Sequence, residues 1–206
     1  MSTHARRRRT GTVIPRVPAE ERREQLLAAT REVIVQDGLA MVTMDRVAKQ
    51  AQVSKPVLYA RFDNRASLLR ALLEDFWNDI DQRLRGEVSV DVSLEEFLSA
   101  VVNAYFDVLE KGGRALQELL ASGAEEPDIV AARRQRFADV EHAWSSRIQR
   151  ELGITRQQAD TAAAIFRSSL AGAGEYWITG ENANRKECIR VCLALMRGGL
   201  KELKPA

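Results

Sequence analysis

The order of apolar and polar residues along the chain predicts helices from about residue 19 onward. Apolar side chains recur at spacings of three and four, as on one face of a helix with 3.6 residues per turn. The first such segment carries Leu26, Leu27, Val33 and Ile34, and Gly38 ends it. Residues with the side chains of helix N-caps precede several later segments: Thr43, Ser54, Asn64, Ser93 and Thr155. The pattern therefore predicts a predominantly helical protein.

Nine helices account for the whole periodic pattern. Their approximate ranges are 19–37, 43–51, 54–62, 64–85, 93–111, 114–122, 127–152, 155–177 and 184–203. Gly112 and Gly113 separate the fifth helix from the sixth. Residues 86–92 alternate weakly, but one short isolated stretch does not predict a sheet. We expect an all-α fold with no β-strand.

The second and third predicted helices have the pattern of a helix-turn-helix. Apolar residues share one face of each helix: Met44, Val47 and Ala48 on the first, Leu58 and Phe62 on the second. Residues 51–53 form a turn of the right length between them. The outward set on the second helix is then Ser54, Lys55, Pro56, Val57, Tyr59 and Ala60. The residues at the N-terminal end of this set are small or polar, as in a recognition helix that enters the major groove.

Composition indicates a function only when the charges of the N-terminal and C-terminal parts of the chain are counted separately. The 206 residues are 45% apolar and 29% charged, which is ordinary for a globular protein. Residues 1–65 carry 13 Lys and Arg against 7 Asp and Glu, whereas residues 66–206 carry 18 against 22. A basic N-terminal part on an acidic remainder indicates a polyanionic partner for the N-terminal part alone.

Residues 1–18 predict a disordered basic arm, because they hold five arginines, two prolines and no acid. Two interpretations of this arm stay open. It is either a tail without a fixed role, or its arginines at positions 6–9 enter the neighbouring minor groove of DNA. We expect three parts: the arm at 1–18, a DNA-binding domain at 19–65, and a helical effector-binding and dimerisation domain at 66–206.

The stretch TMDRVAKQAQVSKPVLYARFDNRASLL, residues 43–69, resembles the N-terminal signature of the TetR family of transcriptional regulators. The detailed resemblance covers about residues 20–73. Gln52 departs from it, because the family's turn usually carries glycine there. If this position needs a positive φ, glutamine is strained. Arg65 replaces the more usual lysine and keeps the charge that faces phosphate.

The resemblance implies a DNA-binding role for eight residues. Thr43 would meet a phosphate through its hydroxyl and backbone N–H. Lys55, Tyr59 and Arg65 would hold further phosphates, which positions the protein without reading sequence. Four residues would face base edges: Ser54, Pro56, Val57 and Arg61. The alternative for Tyr59 is that its ring merely packs against the preceding helix.

For the C-terminal domain the resemblance implies a ligand cavity and a dimer interface. Six aromatic residues either line an apolar pocket or fill an ordinary core: Trp77, Phe97, Tyr105, Phe106, Phe137 and Trp144. Seven residues of the last two helices either form a four-helix dimer interface or pack within one chain: Phe166, Leu170, Ala173, Trp177, Ile189, Cys192 and Met196. Leu195 lies on the same stripe of the last helix. A group of arginines either meets an acidic head group or forms a solvated face: Arg114, Arg133, Arg134 and Arg136.

The function that follows is a ligand-responsive transcriptional regulator. We expect a repressor that binds a palindromic operator in double-stranded DNA as a homodimer. A small apolar or amphipathic effector would release it by tilting the fourth helix. The alternatives are a helical adaptor that binds other proteins and, less favoured by the residues, a small all-α enzyme.

The residue inventory argues against an enzyme and against a metal site. The only histidines are His4 and His142, and there is no glycine-rich phosphate loop or nucleophile elbow. No clustered His or further Cys completes a ligand set with Cys188 and Cys192. The two cysteines therefore indicate a reduced, cytoplasmic protein without metal or cofactor. No apolar run approaches the roughly 18 residues of a membrane span, so no membrane contact is expected.

Overall fold

A computed structural model describes residues 18–87, 92–121 and 127–204. In these ranges the chain forms eight α-helices and one short 3-10 turn, Leu39–Met41, with no strand. The helices are α1 (Ala19–Asp37), α2 (Met44–Gln50), α3 (Lys55–Tyr59), α4 (Arg65–Glu87), α5 (Leu94–Ala121), α6 (Pro127–Leu152), α7 (Arg156–Thr179) and α8 (Arg185–Leu203). The all-α prediction is confirmed. Positions 1–17 of the predicted basic arm lie outside the described residues.

The fifth and sixth predicted helices are joined in α5, which is broken at Gly113. This residue has φ 48° and ψ −134°, a backbone conformation that glycine adopts without steric cost. The two glycines therefore interrupt the helix as predicted, but no loop separates its two halves. Nine predicted helices become eight in the described ranges.

One hydrophobic core lies among α1, α2, α3 and the first half of α4. Leu26 and Val33 of α1, Val47 of α2 and Leu58 of α3 are completely buried in it. The core continues past residue 65 into α4 and includes part of α5: Leu68, Leu69, Leu72, Leu73, Val108, Leu109, Ala115 and Leu119. The two expected domains thus share α4 and α5.

A second core lies among the first half of α5 and helices α6, α7 and α8. Its most buried members include Val102, Phe106, Ile148, Ala159 and Ala163. Two aromatic residues, Tyr105 and Trp177, pack against both cores. No helix in the described ranges has the length and apolarity needed to cross a membrane.

The turn between α2 and α3 contains a strained residue. Gln52 has φ 54°, and it is the only residue other than glycine with a positive φ in the described chain. A side chain in this left-handed region meets a backbone carbonyl, which costs roughly 1–2 kcal/mol. The amide Nε2 of Gln25 donates a 2.8 Å hydrogen bond to the carbonyl of Ala51 and holds the turn from α1. The expectation that glutamine is strained here is confirmed.

Replacement of Gln52 by glycine should raise the free energy of unfolding by about 0.5–1 kcal/mol, because glycine relieves the strain. Gln36→Gly is a matched control, since Gln36 is exposed and lies inside α1. It should lower stability, as glycine does in a helix. Urea unfolding followed by circular dichroism measures both changes. Equal destabilisation by the two variants would contradict the strain at Gln52.

Candidate nucleic-acid interface and internal cavity

The α2–α3 pair presents a polar surface opposite its buried face. The hydroxyl of Thr43 accepts a 3.1 Å hydrogen bond from the backbone N–H of Arg46, so it caps α2. Pro56 lies in the first turn of α3, where a backbone N–H would have no hydrogen-bond partner within the helix, so its absence costs no hydrogen bond. Leu58 is completely buried and Phe62 is 6% exposed, which fixes α3 against the core. The rest of α3 is therefore held in one orientation.

The structure brings the eight predicted DNA-contacting residues together on α2, α3 and the start of α4. Seven of them are exposed and Arg65 is half-buried. Val57 is 36% exposed and Tyr59 is 48% exposed, although both are large apolar residues. About half of the Tyr59 surface is therefore accessible to a partner. The individual DNA contacts stay predictions.

Lys55 is paired with an acid in this surface. Its Nζ lies 2.7 Å from Oδ2 of Asp45 on α2, and both side chains are more than half exposed. The hydrogen bond and the charge of Asp45 raise the pKa of Lys55 above its ordinary value. Exposed ion pairs of this kind are weak, so a phosphate can compete with Asp45 for the ammonium group.

Arg65 has a structural role that the sequence did not indicate. Its Nε donates a 2.8 Å hydrogen bond to the carbonyl of Val42, and its Nη2 donates a 3.0 Å bond to the carbonyl of Leu39. These carbonyls belong to the segment that leads into α2. Arg65 thus ties the start of α4 to the start of the helix-turn-helix.

A cavity of about 320 Å³ lies among α4, α5, α6 and α7. Five of the six predicted pocket aromatics line it: Trp77, Phe97, Tyr105, Phe137 and Trp144. The prediction for Phe106 is wrong, because this residue is completely buried in the second core, with its ring centroid 5.4 Å from that of Trp177. Consecutive residues differ by about 100° around a helix, so Phe106 turns away when Tyr105 faces the cavity.

The sequence reasoning missed the aliphatic part of the lining and one further aromatic. Phe76, Ile80 and Leu84 border the cavity along α4, joined by Val101, Leu120 and Val140. The signal was present, since the three α4 residues follow one another at intervals of four.

Charged groups at the edge of the cavity are mostly paired. Arg136 lies 2.5 Å from Asp81, and Arg167 lies 2.5 Å from Glu141 with its guanidinium 4.5 Å from the centroid of the Phe137 ring. Arg133 donates to the carbonyl of Leu120, while Arg134 is exposed. The Arg114 side chain lies outside the described residues. The cavity itself is mainly apolar.

Tyr105 contributes a neutral hydroxyl group to this lining. Burial raises the pKa of its hydroxyl to about 12. The group therefore keeps its proton at neutral pH and can donate a hydrogen bond.

The exposed apolar face of α7 and α8 differs from the predicted one. Phe166, Leu170, Cys192 and Met196 are 2–6% exposed and belong to the second core of the same chain. The large exposed side chains are instead Ile165, Tyr176, Val191 and Leu195, which are 56%, 62%, 40% and 70% exposed. The exposed positions thus lie next to predicted ones on each helix, and Phe166, Ala173, Cys192 and Met196 line the open groove between α7 and α8 together with them. The dimer interface itself stays a prediction. Ala173, Trp177 and Ile189 are half-buried between the two faces.

Cys188 and Cys192, on the same part of α8, are both free thiols. Burial raises the pKa of Cys192 to about 11. Its thiol is therefore protonated at neutral pH and behaves as a small apolar side chain.

Comparisons with known proteins agree with this geometry. The family model described as bacterial regulatory proteins, tetR family, matches residues 26–72. The HTH-type transcriptional activator FasR of Mycolicibacterium smegmatis is 28% identical over 173 residues, covering 84% of this chain and 79% of FasR. The HTH-type transcriptional regulator BetI of Paraburkholderia phymatum is 30% identical over 138 residues, covering 65% of this chain and 69% of BetI. The crystal structure of a TetR-like transcriptional regulator from Rhodococcus sp. RHA1 superposes with a TM-score of 0.73 at 18% identity, covering 90% of this chain and 99% of that one.

Replacement of Arg65 by lysine should lower the free energy of unfolding by about 1–2 kcal/mol. A single ammonium group cannot reproduce the planar guanidinium that reaches two carbonyls. Arg70→Lys is the control on the same helix, because Arg70 is exposed and its partner among the described residues is Glu74, at 2.8 Å. Thermal unfolding distinguishes the two. Wild-type stability of Arg65→Lys would show that the two carbonyl bonds contribute little.

Proposed function

The chain belongs to the TetR family of DNA-binding transcriptional regulators, and we propose that it is an effector-responsive repressor that binds a palindromic operator as a homodimer. The family and the relatives above are regulators of transcription, so the enzyme alternative is removed. The observation that carries the proposal is the exposed face of α3, which presents Val57 and Tyr59 while Leu58 is buried. The positive charge of residues 1–65 supports a DNA partner for this face.

A homodimer is supported by the exposed apolar face of α7 and α8. Large apolar side chains that are half exposed over two adjacent helices mark an interaction surface. A second copy of the same face would cover them by two-fold symmetry, which is the commonest arrangement of soluble oligomers. Two recognition helices about 34–36 Å apart, or a multiple of that distance, would then fit successive major grooves.

An apolar effector is supported by the cavity and by the path of α4. The first half of this helix is buried in the DNA-binding core at Leu68 and Leu72, and its second half borders the cavity at Ile80 and Leu84. A ligand that prefers a different cavity shape would shift the population towards another tilt of α4. The distance between the two recognition helices would change with that tilt.

The test of DNA recognition begins with selection of duplexes from a random pool by the full-length chain. Tyr59→Ala should weaken binding to all selected duplexes, because a phosphate contact does not depend on sequence. Val57→Ala should change the order of preference among them, because Val57 would face the bases. Val35→Ala is the control, since Val35 is 52% exposed and belongs to α1, outside the two helices of the helix-turn-helix. Anisotropy titrations measure the affinities.

The outcomes separate the parts of this proposal. No enrichment of any duplex by the wild-type chain would refute operator binding. An unchanged preference profile of Val57→Ala would refute base reading by that residue. A reporter gene behind the selected sequence decides between repression and the activation for which the relative FasR is named.

Replacement of Leu195 by glutamate should convert the dimer to a monomer, because a charge would stand at the most exposed apolar position of the α7–α8 face. The operator affinity should fall by about tenfold or more, since one half-site is then bound at a time. Val35→Glu introduces the same charge at an exposed apolar position of α1 and should leave the dimer intact. Sedimentation analysis measures the mass. A Leu195→Glu variant that remains dimeric would place the interface elsewhere.

A further inference from the structure

Phe76 lies where the cavity, the break in α5 and the DNA-binding core meet. It is 5% exposed and belongs to the first hydrophobic core, yet it also borders the cavity. It precedes Trp77, whose side chain lines the same cavity. A ligand in the cavity would therefore lie next to a side chain that is part of the DNA-binding core.

The ring of Phe76 occupies the space beside Gly112. A Cβ atom at Gly112 would lie 2.3 Å from Cε1 of Phe76 and 3.0 Å from its Cζ. These distances are shorter than any van der Waals contact, so only glycine fits while the ring stays in place. Gly112 immediately precedes Gly113, the residue at which α5 breaks. The ring therefore packs directly against the break.

The ring of Phe76 is also in contact with α1. The guanidinium carbon of Arg31 lies 5.8 Å from the Phe76 ring centroid, within the range of a cation–π contact. The same guanidinium lies 2.9 Å from Oδ2 of Asp75, the residue that precedes Phe76. Asp75 also pairs with Arg23 of α1 at 3.6 Å. A displacement of Phe76 would thus disturb the contact between α1 and α4.

The part of α5 after the break links the same two places. Its Glu118 Oε2 accepts a 2.8 Å hydrogen bond from the backbone N–H of Leu39, just before α2. Leu119 is completely buried in the DNA-binding core, whereas Leu120 borders the cavity. Three consecutive residues of α5 therefore contact three different places: the segment that leads into α2, the DNA-binding core and the cavity.

We propose that Phe76 is the positioning residue that couples occupancy of the cavity to DNA affinity, through its packing on Gly112 and Arg31. The inference rests on the proposed function, because it assigns a residue to the effector response. A ligand that moves the ring forces Gly112 and the α5 break to shift, and it loosens the hold of Arg31 on α4. Both movements reorient α1 and the helix-turn-helix relative to α4.

A methyl group at Gly112 should reproduce the displaced ring without any ligand. Gly112→Ala should lower the affinity for a selected duplex by about tenfold, which is within the usual range of coupling between sites. The loss should vanish when Phe76 is also replaced by leucine, so that Gly112→Ala has no effect in the Phe76→Leu background. Gly86→Ala on α4 is the control, since a Cβ there meets nothing within 4 Å.

A second measurement covers the case in which Gly112→Ala does not fold. The apolar dye ANS, which binds exposed apolar sites, serves as the cavity probe, and its saturation should lower the duplex affinity of the wild-type chain. The reduction should be lost in Phe76→Leu and kept in Val35→Ala, since Val35 is 52% exposed on α1 and does not line the cavity. An equal response of these two variants would refute the role of Phe76.

The remaining outcomes separate this inference from the function on which it rests. A folded Gly112→Ala with wild-type affinity, or a loss that Phe76→Leu does not cancel, overturns the coupling role of Phe76 alone. If the wild-type chain enriches no duplex, or if ANS in the cavity leaves its duplex affinity unchanged, the proposed effector response is refuted and this inference fails with it.

Discussion

The burial of α4 in two places is the constraint on which the rest of the structure depends. Its first half completes the core under α2 and α3, with Leu68, Leu69, Leu72 and Leu73 completely buried, and its second half forms one wall of the cavity. An unbroken helix of 23 residues behaves as a stiff rod about 35 Å long. The helix-turn-helix therefore cannot take its orientation independently of the cavity. Helix α5, by contrast, is interrupted at Gly113.

The helices and the DNA-binding motif could be predicted because their signals are local. Caps such as Thr43 and Thr155, the breaks at Gly38 and Gly113, and the three-to-four spacing all act within a few residues. The strain at Gln52 was indicated by the family resemblance, because the turn usually carries glycine at that position, and the structure supplies the positive φ. The α7–α8 face was less accessible. These helices are apolar on two faces, so sequence alone could not distinguish Phe166, which is buried, from Ile165, which is exposed.

The contacts that could not be predicted join residues far apart in sequence. Arg65 reaches the carbonyl of Leu39 across 26 positions, and Glu118 reaches the amide of the same residue across 79. No periodicity records such pairs, since they depend on how whole helices are placed. The same limit applies to the cavity, where the aromatic composition indicated five lining residues correctly. Which neighbour would face inward, Tyr105 or Phe106, was decided only by the rotation of α5.

The ion pair of Lys55 and Asp45 alters how the surface responds to salt. A lysine that reaches phosphate from bulk water displaces a condensed cation from the nucleic acid, and that release makes affinity fall steeply as salt rises. Lys55 instead arrives with its charge already balanced by a carboxylate of its own chain. When a phosphate takes over the ammonium group, Asp45 is left as a nearby anion and retains a cation from solution. This lysine therefore contributes less than a full charge to the salt dependence of binding. A count of the basic residues on the surface overstates that salt dependence.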